Sequence, residues 1–196
     1  MSTFDFARNE IARTIGVLNS MLVDESLLAT LQRVADRCTA AIRAGNKVMF
    51  CGNGGSAADS QHLAAELIGK LLHMRPAMAG LALTTDSSAL TAIGNDFGYQ
   101  YVFSRQIEGL GRSGDVLVGI STSGRSHNVV SAFETARARS ITTVAMTGAQ
   151  RGPIADLADE WIAIPHQDTA KIQEGHIVLG HIFCAMVESQ AHPKAG

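Results

Sequence analysis

From Lys47 to Lys70 the chain reads KVMFCGNGGSAADSQHLAAELIGK, an apolar run, a cluster of glycines and an amphipathic segment in direct succession. No other stretch restricts the fold as strongly. The spacing predicts a strand over Lys47–Cys51, a sharp turn and then a helix. Gly52, Gly54 and Gly55 allow the backbone to turn steeply and a ligand to approach it closely. Ser56 is placed to cap the helix. His62 and Glu66 are four residues apart, so one helical face carries an imidazole and a carboxylate together. A helix N-terminus behind glycines suits a phosphate, and a His/Glu pair suits a metal or proton transfer.

The remainder alternates strand and helix. Apolar runs predict strands at Met78–Leu83, Asp115–Ile120, Ile141–Met146 and Glu160–Ile164. Helices are expected over Ser87–Ile93, Tyr99–Leu110, Asn128–Arg139, Pro153–Leu157 and Thr169–Gln190, with a polar turn at Gly94–Gly98. This alternation argues for an α/β fold, a five-stranded parallel sheet covered on both faces as a three-layer αβα sandwich, with ligands beyond the carboxyl ends of the strands. Two helices precede the first strand. Phe6, Ile11, Ile15, Leu18 and Leu22 recur at helical spacing in one; Leu27, Leu31, Val34, Cys38 and Ile42 do so in the other, which Asp24 can cap. Their apolar faces either cover the sheet or pair with another subunit. The whole chain, 1–196, is expected to be one domain, with 1–45 as a helical extension and the last residues, Ala191–Gly196, as a frayed tail.

With 196 residues, 46% hydrophobic and a net charge of −2, the chain has material for a sizeable core and no basic stripe, which argues against nucleic acid as a main partner. No apolar segment is long enough to span a membrane, and the first residues carry acidic groups and no signal-like apolar run. Cys38, Cys51 and Cys184 are widely spaced in apolar surroundings, as expected of reduced core thiols in a cytoplasmic protein.

A second loop also draws attention. Ser121-Thr122-Ser123-Gly124-Arg125-Ser126 follows the third strand and places four hydroxyls in six residues. Capping a helix needs one hydroxyl, so four favour an anion held by hydroxyls and backbone N–H groups, with Arg125 in reach or facing solvent. For the first loop, Gly52, Gly54 and Ala57 also fit the looser dinucleotide pattern, although Asp86 lies farther along than a ribose-binding acid usually does. A tight turn for packing alone is the third reading. In the last helix, KIQEGHIVLGH supplies Gln173, Glu174, His176 and His181; with His62 and Glu66 these are candidate ligands for zinc or a similar divalent ion, or ordinary core and surface residues.

Taken together, CGNGGSAADSQHLAAEL, AIGNDFGYQYVFSRQIEGLG, GDVLVGISTSGRSHNV and KIQEGHIVLGH resemble the sugar isomerase (SIS) domain family, and within it the phosphoheptose isomerases of bacterial heptose synthesis. The resemblance runs through nearly the whole chain in order. It implies a flavodoxin-like SIS fold, a homotetramer with active sites between subunits, and zinc in many members. Carried over by motif, the metal ligands are His62, Glu66, Gln173 and His181. The sugar-phosphate contacts are Asn53, Gly54, Gly55, Glu66, Asn95, Asp96, Ser121, Thr122, Ser123, Ser126 and Gln173.

The implied reaction converts sedoheptulose 7-phosphate to D-glycero-D-manno-heptose 7-phosphate through an enediol, with Glu66 as base and His181 as acid. Glu66 cannot be a tightly held ligand and a full-strength base at once, so the resemblance implies a loosely held metal or ligand exchange. Two positions depart from the pattern: Lys70 stands where some members have Arg, which removes a two-point fork, and Ala170 where some have Asp, with Asp168 nearby. Two rivals remain: a non-catalytic SIS-domain regulator that binds the replication initiator DnaA, a branch that replaces the histidine at position 181, and a dinucleotide-binding oxidoreductase.

Overall fold

Asp24 accepts a hydrogen bond from the Leu27 amide and so starts a new helix directly after the first one ends. In the computed structural model, which describes residues 2–193, α1 spans Thr3–Leu22 and α2 Glu25–Arg43. Ser2 and Asp5 form a reciprocal capping box at the start of α1. Then follow β1 (Val48–Gly52), α3 (Gly55–Ile68), β2 (Gly80–Ala82), α4 (Ser87–Asp96), a 3-10 turn at Tyr99–Tyr101, α5 (Ser104–Leu110) and β3 (Val116–Ile120). The chain continues through α6 (His127–Ala138), β4 (Thr142–Gly148), α7 (Pro153–Leu157), β5 (Glu160–Ile164) and α8 (Thr169–Ala191). Ala191, expected in the tail, still belongs to α8, and the tail beyond Pro193 lies outside the described residues.

The five strands are all parallel, in the order β2-β1-β3-β4-β5. β1 and β3 are neighbours in register from Val48↔Val116 to Gly52↔Ile120, so the loops after both strands leave the sheet side by side at its topological switch point. Successive residues of a strand feed opposite layers. Val48, Phe50, Val116, Val118 and Ile120 pack with α2, α3 and α8, whereas Met49, Cys51 and Leu117 pack with α5, α6 and α7. The expected five-stranded α/β sandwich is therefore present. The three cysteines are buried and unpaired; burial holds all three thiols in their neutral form, Cys51 being pushed up to about 12. No single helix among the described residues is long and apolar enough to cross a membrane.

Three local expectations require correction. Ser56 does not cap α3: Gly54, at φ +57°, is the cap residue, and Ser56 sits inside the first turn, buried. The turn expected at Gly94–Gly98 starts later, because α4 runs through Gly94 and Asn95 to Asp96. The single helix expected over Tyr99–Leu110 is instead a 3-10 turn and α5, with buried Val102 and Phe103 at the break. For α1, whose apolar face was open to covering the sheet or to pairing with another subunit, Leu18 packs against the core beside buried Val17 and Met21, while Phe6, Ile11, Ile15 and Leu22 are 53–70% exposed. In α2 the expected face does pack inward, with Leu27, Leu31, Val34 and Cys38 buried and Ile42 against them.

Between α3 and β2 the chain is anchored by a carboxylate from the far end of α8. Glu188 is fully buried. It accepts the amides of Leu71, Leu72 and His73 at 2.7–2.9 Å and pairs with Arg75 at 3.1 Å. Burial alone would raise its pKa; the three N–H donors and the guanidinium outweigh that and hold it down at about 2. Arg75 also donates to the Glu66 carbonyl at 2.8 Å, which ties the anchor to the end of α3.

Because the folded pKa is depressed from its ordinary 4.5, this carboxylate stabilises the fold above about pH 4.5, and its contribution fades as pH falls toward 2. Glu188→Gln leaves Arg75 buried without its counter-charge and is expected to lower unfolding stability at pH 7 by roughly 3 kcal/mol. Denaturant melts at pH 7, 4 and 3 should show the gap between wild type and variant shrinking with acid; a constant gap would show that the charge on Glu188 is not what stabilises this segment.

Candidate active site

The glycine turn after β1 places backbone where side chains would block a ligand. Gly54 occupies the left-handed region at φ +57°. A Cβ at Gly55 would stand 2.7 Å from Nε2 of Gln173, so glycine here lets the Gln173 amide lie directly against the start of α3. After β3, the Gly124 amide bonds back to the Ser121 carbonyl at 3.0 Å and forms a tight turn. Ser121 and Ser126 share a hydroxyl–hydroxyl bond of 3.1 Å, and Ser123 Oγ accepts from the Arg125 amide at 3.3 Å. Ser126 is the cap residue of α6 without a side-chain bond to that helix; the Val129 amide donates to the Ser126 carbonyl at 3.0 Å, which leaves the His127 and Asn128 amides as donors for a ligand.

The two loops enclose a cavity of about 280 Å³. Of the sugar-phosphate contacts expected from the sequence, Asn53, Gly54, Gly55, Ser121, Thr122, Ser123, Ser126 and Gln173 all line it, joined by Thr169. The N-terminal ends of α3, α6 and α8 converge here, a positive field built from backbone alone. Arg125 does not line this cavity; it borders the neighbouring one with His166 and Gln150. Asn95 and Asp96 also lie outside it, exposed in the last turn of α4, where the Asn95 amide bonds to the Asp96 carboxylate at 2.8 Å.

Two residues that sequence reading passed over fix the rim. Asn128 and Asn53 exchange reciprocal amide bonds of 2.9 Å, and the Tyr99 hydroxyl donates to Asn53 Oδ1 at 3.1 Å. The signal was present for Asn128, a buried polar residue at the start of a helix, but its partner is 75 positions away.

A second cluster sits farther along α3 and α8. Nε2 of His62 lies 2.7 Å from Nε2 of His181 and 3.4 Å from Oε1 of Glu66. Donor atoms of these three residues all fall within 4.8 Å of one another. Two nitrogens and one carboxylate oxygen form a suitable donor set for a divalent ion with an open position. Nitrogens bound about 2.05 Å from a tetrahedral centre stand about 3.3 Å apart, so the two imidazoles, at 2.7 Å, need to part by about 0.6 Å. Gln173 is eight residues before His181, about 12 Å along the helix axis, with its amide against Gly55; the three-residue group forms without it.

The other candidates have ordinary duties. His176 is fully buried and held neutral at about pKa 4 by that burial, with Nε2 donating to the Thr147 carbonyl at 3.1 Å. Glu174 pairs with Lys171 and Thr14 against α1. Asp168 caps α8 and pairs with Arg13 at 2.8 Å. Asp86, the acid a dinucleotide reading needs for ribose, is occupied as the cap of α4. Lys70 stands just past α3, and the guanidinium that reaches back to the helix there is that of Arg75.

Comparisons with known proteins identify the relatives of this chain. The family model described as SIS domain matches residues 16–148. Phosphoheptose isomerase of Burkholderia pseudomallei (strain 1710b) is 52% identical over 189 residues, covering 96% of each chain. That of Akkermansia muciniphila is 52% identical over 188 residues, covering 96% of this chain and 98% of its own. The solved structure of phosphoheptose isomerase GmhA from Neisseria gonorrhoeae superposes with a TM-score of 0.88 at 42% identity, covering 95% of this chain and 99% of that one. The chain belongs to the SIS domain family and, within it, to the phosphoheptose isomerases.

Proposed function

We propose that this protein is an aldose–ketose isomerase that converts sedoheptulose 7-phosphate to D-glycero-D-manno-heptose 7-phosphate, feeding bacterial synthesis of activated heptoses for lipopolysaccharide or capsule. The observation that carries the reading is the layout of the α3–α8 pair. One end borders a cavity of hydroxyls and helix N-termini suited to a phosphate; the other presents Glu66 beside His62 and His181. A substrate with phosphate at one end and a ketone near the other fits both.

The phosphate is held by Ser121, Thr122, Ser123 and Ser126 with the first amides of α6, and Asn53, Gly54, Gly55 and Gln173 border the sugar. Asn95 and Asp96, which the family pattern adds, need the end of α4 to turn toward the substrate. With the open-chain sugar in place, Glu66 removes a proton from C1 while His181 gives one to the C2 oxygen, forming the enediol. Glu66 then returns a proton to C2 and the C1 hydroxyl releases its own to His181, leaving the aldehyde. His62, Glu66 and His181 would hold a zinc ion; Gln173, the fourth ligand of the family pattern, stands apart from them with its amide against Gly55. When bound, such an ion supplies Lewis-acid stabilisation of negative charge on the substrate oxygens.

The exposed apolar stripe of α1 supports a homotetramer with active sites between subunits, and three unpaired buried thiols support a cytoplasmic setting. Residues 1–45 are read as the helical extension of a single domain spanning 1–196.

The direct test is turnover of sedoheptulose 7-phosphate followed by NMR, on protein stripped by chelator and again after added zinc. Heptose 7-phosphate should appear, and faster with zinc. No product under either condition from folded protein would return attention to the regulatory reading. Glu66→Gln and His181→Gln should each reduce kcat at least a hundredfold with circular dichroism unchanged; near-normal turnover in either removes that residue from the mechanism. Ser121→Ala should act on binding, raising KM about tenfold, or ~1–2 kcal/mol for one hydrogen bond to a charged group. An unchanged KM would exclude that contact.

A further inference from the structure

Asn53 stands between the end of β1 and the cap of α3, and its carboxamide is held from two other elements. Its Nδ2 donates to Asn128 Oδ1 at 2.9 Å, and Asn128 Nδ2 donates back to Asn53 Oδ1 at 2.9 Å. The Tyr99 hydroxyl donates to the same Asn53 oxygen at 3.1 Å. Asn128 is buried in the first turn of α6, whereas the Tyr99 ring is exposed at the start of the 3-10 turn.

A carboxamide oxygen accepts two donors, and its nitrogen has two N–H groups to give. On Asn53 both places at the oxygen are filled and one N–H is used, so among the described residues a single N–H is left. Asn53 lines the cavity between the two loops. Toward a ligand there it can act only as a donor.

The paired amides alone do not fix this polarity. Turning both carboxamides over restores two equivalent bonds with every donor and acceptor exchanged. Tyr99 breaks that symmetry. A phenol ring draws electron density from its oxygen, which makes the hydroxyl a better donor than acceptor. It therefore selects the arrangement with Oδ1 of Asn53 toward it. In the other arrangement Nδ2 would give both hydrogens, to Asn128 and Tyr99, and none would remain for a ligand. Asn128 also serves the cavity through its own backbone, since its amide is one of the two left free at the start of α6.

We propose that Asn128 and Tyr99 are positioning residues: together they hold Asn53 as a fixed N–H donor to a hydroxyl or carbonyl oxygen of the sugar. A donor oriented before binding has little freedom left to lose when the ligand arrives. The inference rests on the sugar-phosphate reading of this cavity.

Steady-state turnover of sedoheptulose 7-phosphate with added zinc tests it, alongside thermal melts of each protein. The set is wild type, Asn53→Ala, Asn128→Ala, Tyr99→Phe, and each of the last two combined with Asn53→Ala. Asn53→Ala should raise KM about tenfold, Asn128→Ala nearly as much and Tyr99→Phe roughly threefold, with kcat changed far less. In the Asn53→Ala background neither partner should raise KM further, because both act through a group already removed. Tyr99→Phe takes one hydroxyl from an exposed ring and keeps the test decisive where Asn128→Ala does not fold. Factors that multiply in the double variants, or a Tyr99→Phe KM equal to that of wild type, would overturn the inference and leave the substrate reading standing. A folded wild type that does not turn over sedoheptulose 7-phosphate would overturn the substrate reading and this inference with it.

Discussion

The parallel packing of α3 against α8 is the constraint on which the site depends. Matched contacts advance together along the two helices: Gly55 with Gln173, His62 with His181, Leu63 with Gly180, and Leu71 just past α3 with Glu188. A Cβ at Gly180 would stand 2.7 Å from Leu63 Cδ2, so glycine there lets the helices approach closely enough for the adjacent imidazoles to meet. One residue of slip would turn a side chain by 100° and part the cluster. The Glu188 anchor opposes such slip, since it ties α8 to the segment that leaves α3.

The two ends of this pair use different physics. At the cavity the donors are mainly backbone amides and short hydroxyls, held by β1 and β3 in fixed register. Such groups have little side-chain entropy to lose on binding and attract an anion without a cationic cage. The one carboxylate at the start of α8, Asp168, is paired with Arg13 and does not present a bare charge to the phosphate end. The reacting end is built from side chains that can move: His62 is 46% exposed and Glu66 17%. In the proposed mechanism a proton carrier needs that freedom, and a phosphate grip would not.

How much of this was legible in the sequence depended on the range of each interaction. Apolar runs located all five strands, and Glu160–Ile164 and Pro153–Leu157 agree to the residue, the strand through its apolar residues before Pro165 and the helix through the proline at its start. The two loops could be read as ligand-facing from their own composition. The end of α4 could not, since Gly94 is tolerated within a helix and only its surroundings decide whether the turn begins there. Periodicity revealed an apolar face on α1 but not what covers it, and that face points outward. Asn53–Asn128 and Glu188–Arg75 join residues 75 and 113 positions apart; no local pattern encodes such pairs. The grouping of His62, Glu66 and His181 was likewise out of reach of spacing on α8 alone and came from the family pattern, of whose four ligands these three come together and Gln173 does not.

The openness of the reacting end bears on assembly. Enediol chemistry gains from exclusion of water, yet the two imidazoles of a single chain are exposed. α1 is bound to the first turns of α8 through Arg13–Asp168 and Thr14–Glu174, on the helix that also lines the cavity with Gln173. Phe6, Ile11, Ile15 and Leu22 therefore display an apolar stripe on an element directly attached to the site helix. A second copy seated on that stripe would stand beside α8 and would shield the site while leaving the cavity between the two loops, lined within one chain, unaltered. Under the proposed function, the groups suited to an anion all belong to one chain, and a second copy on α1 would add the shielding from water that proton transfer favours.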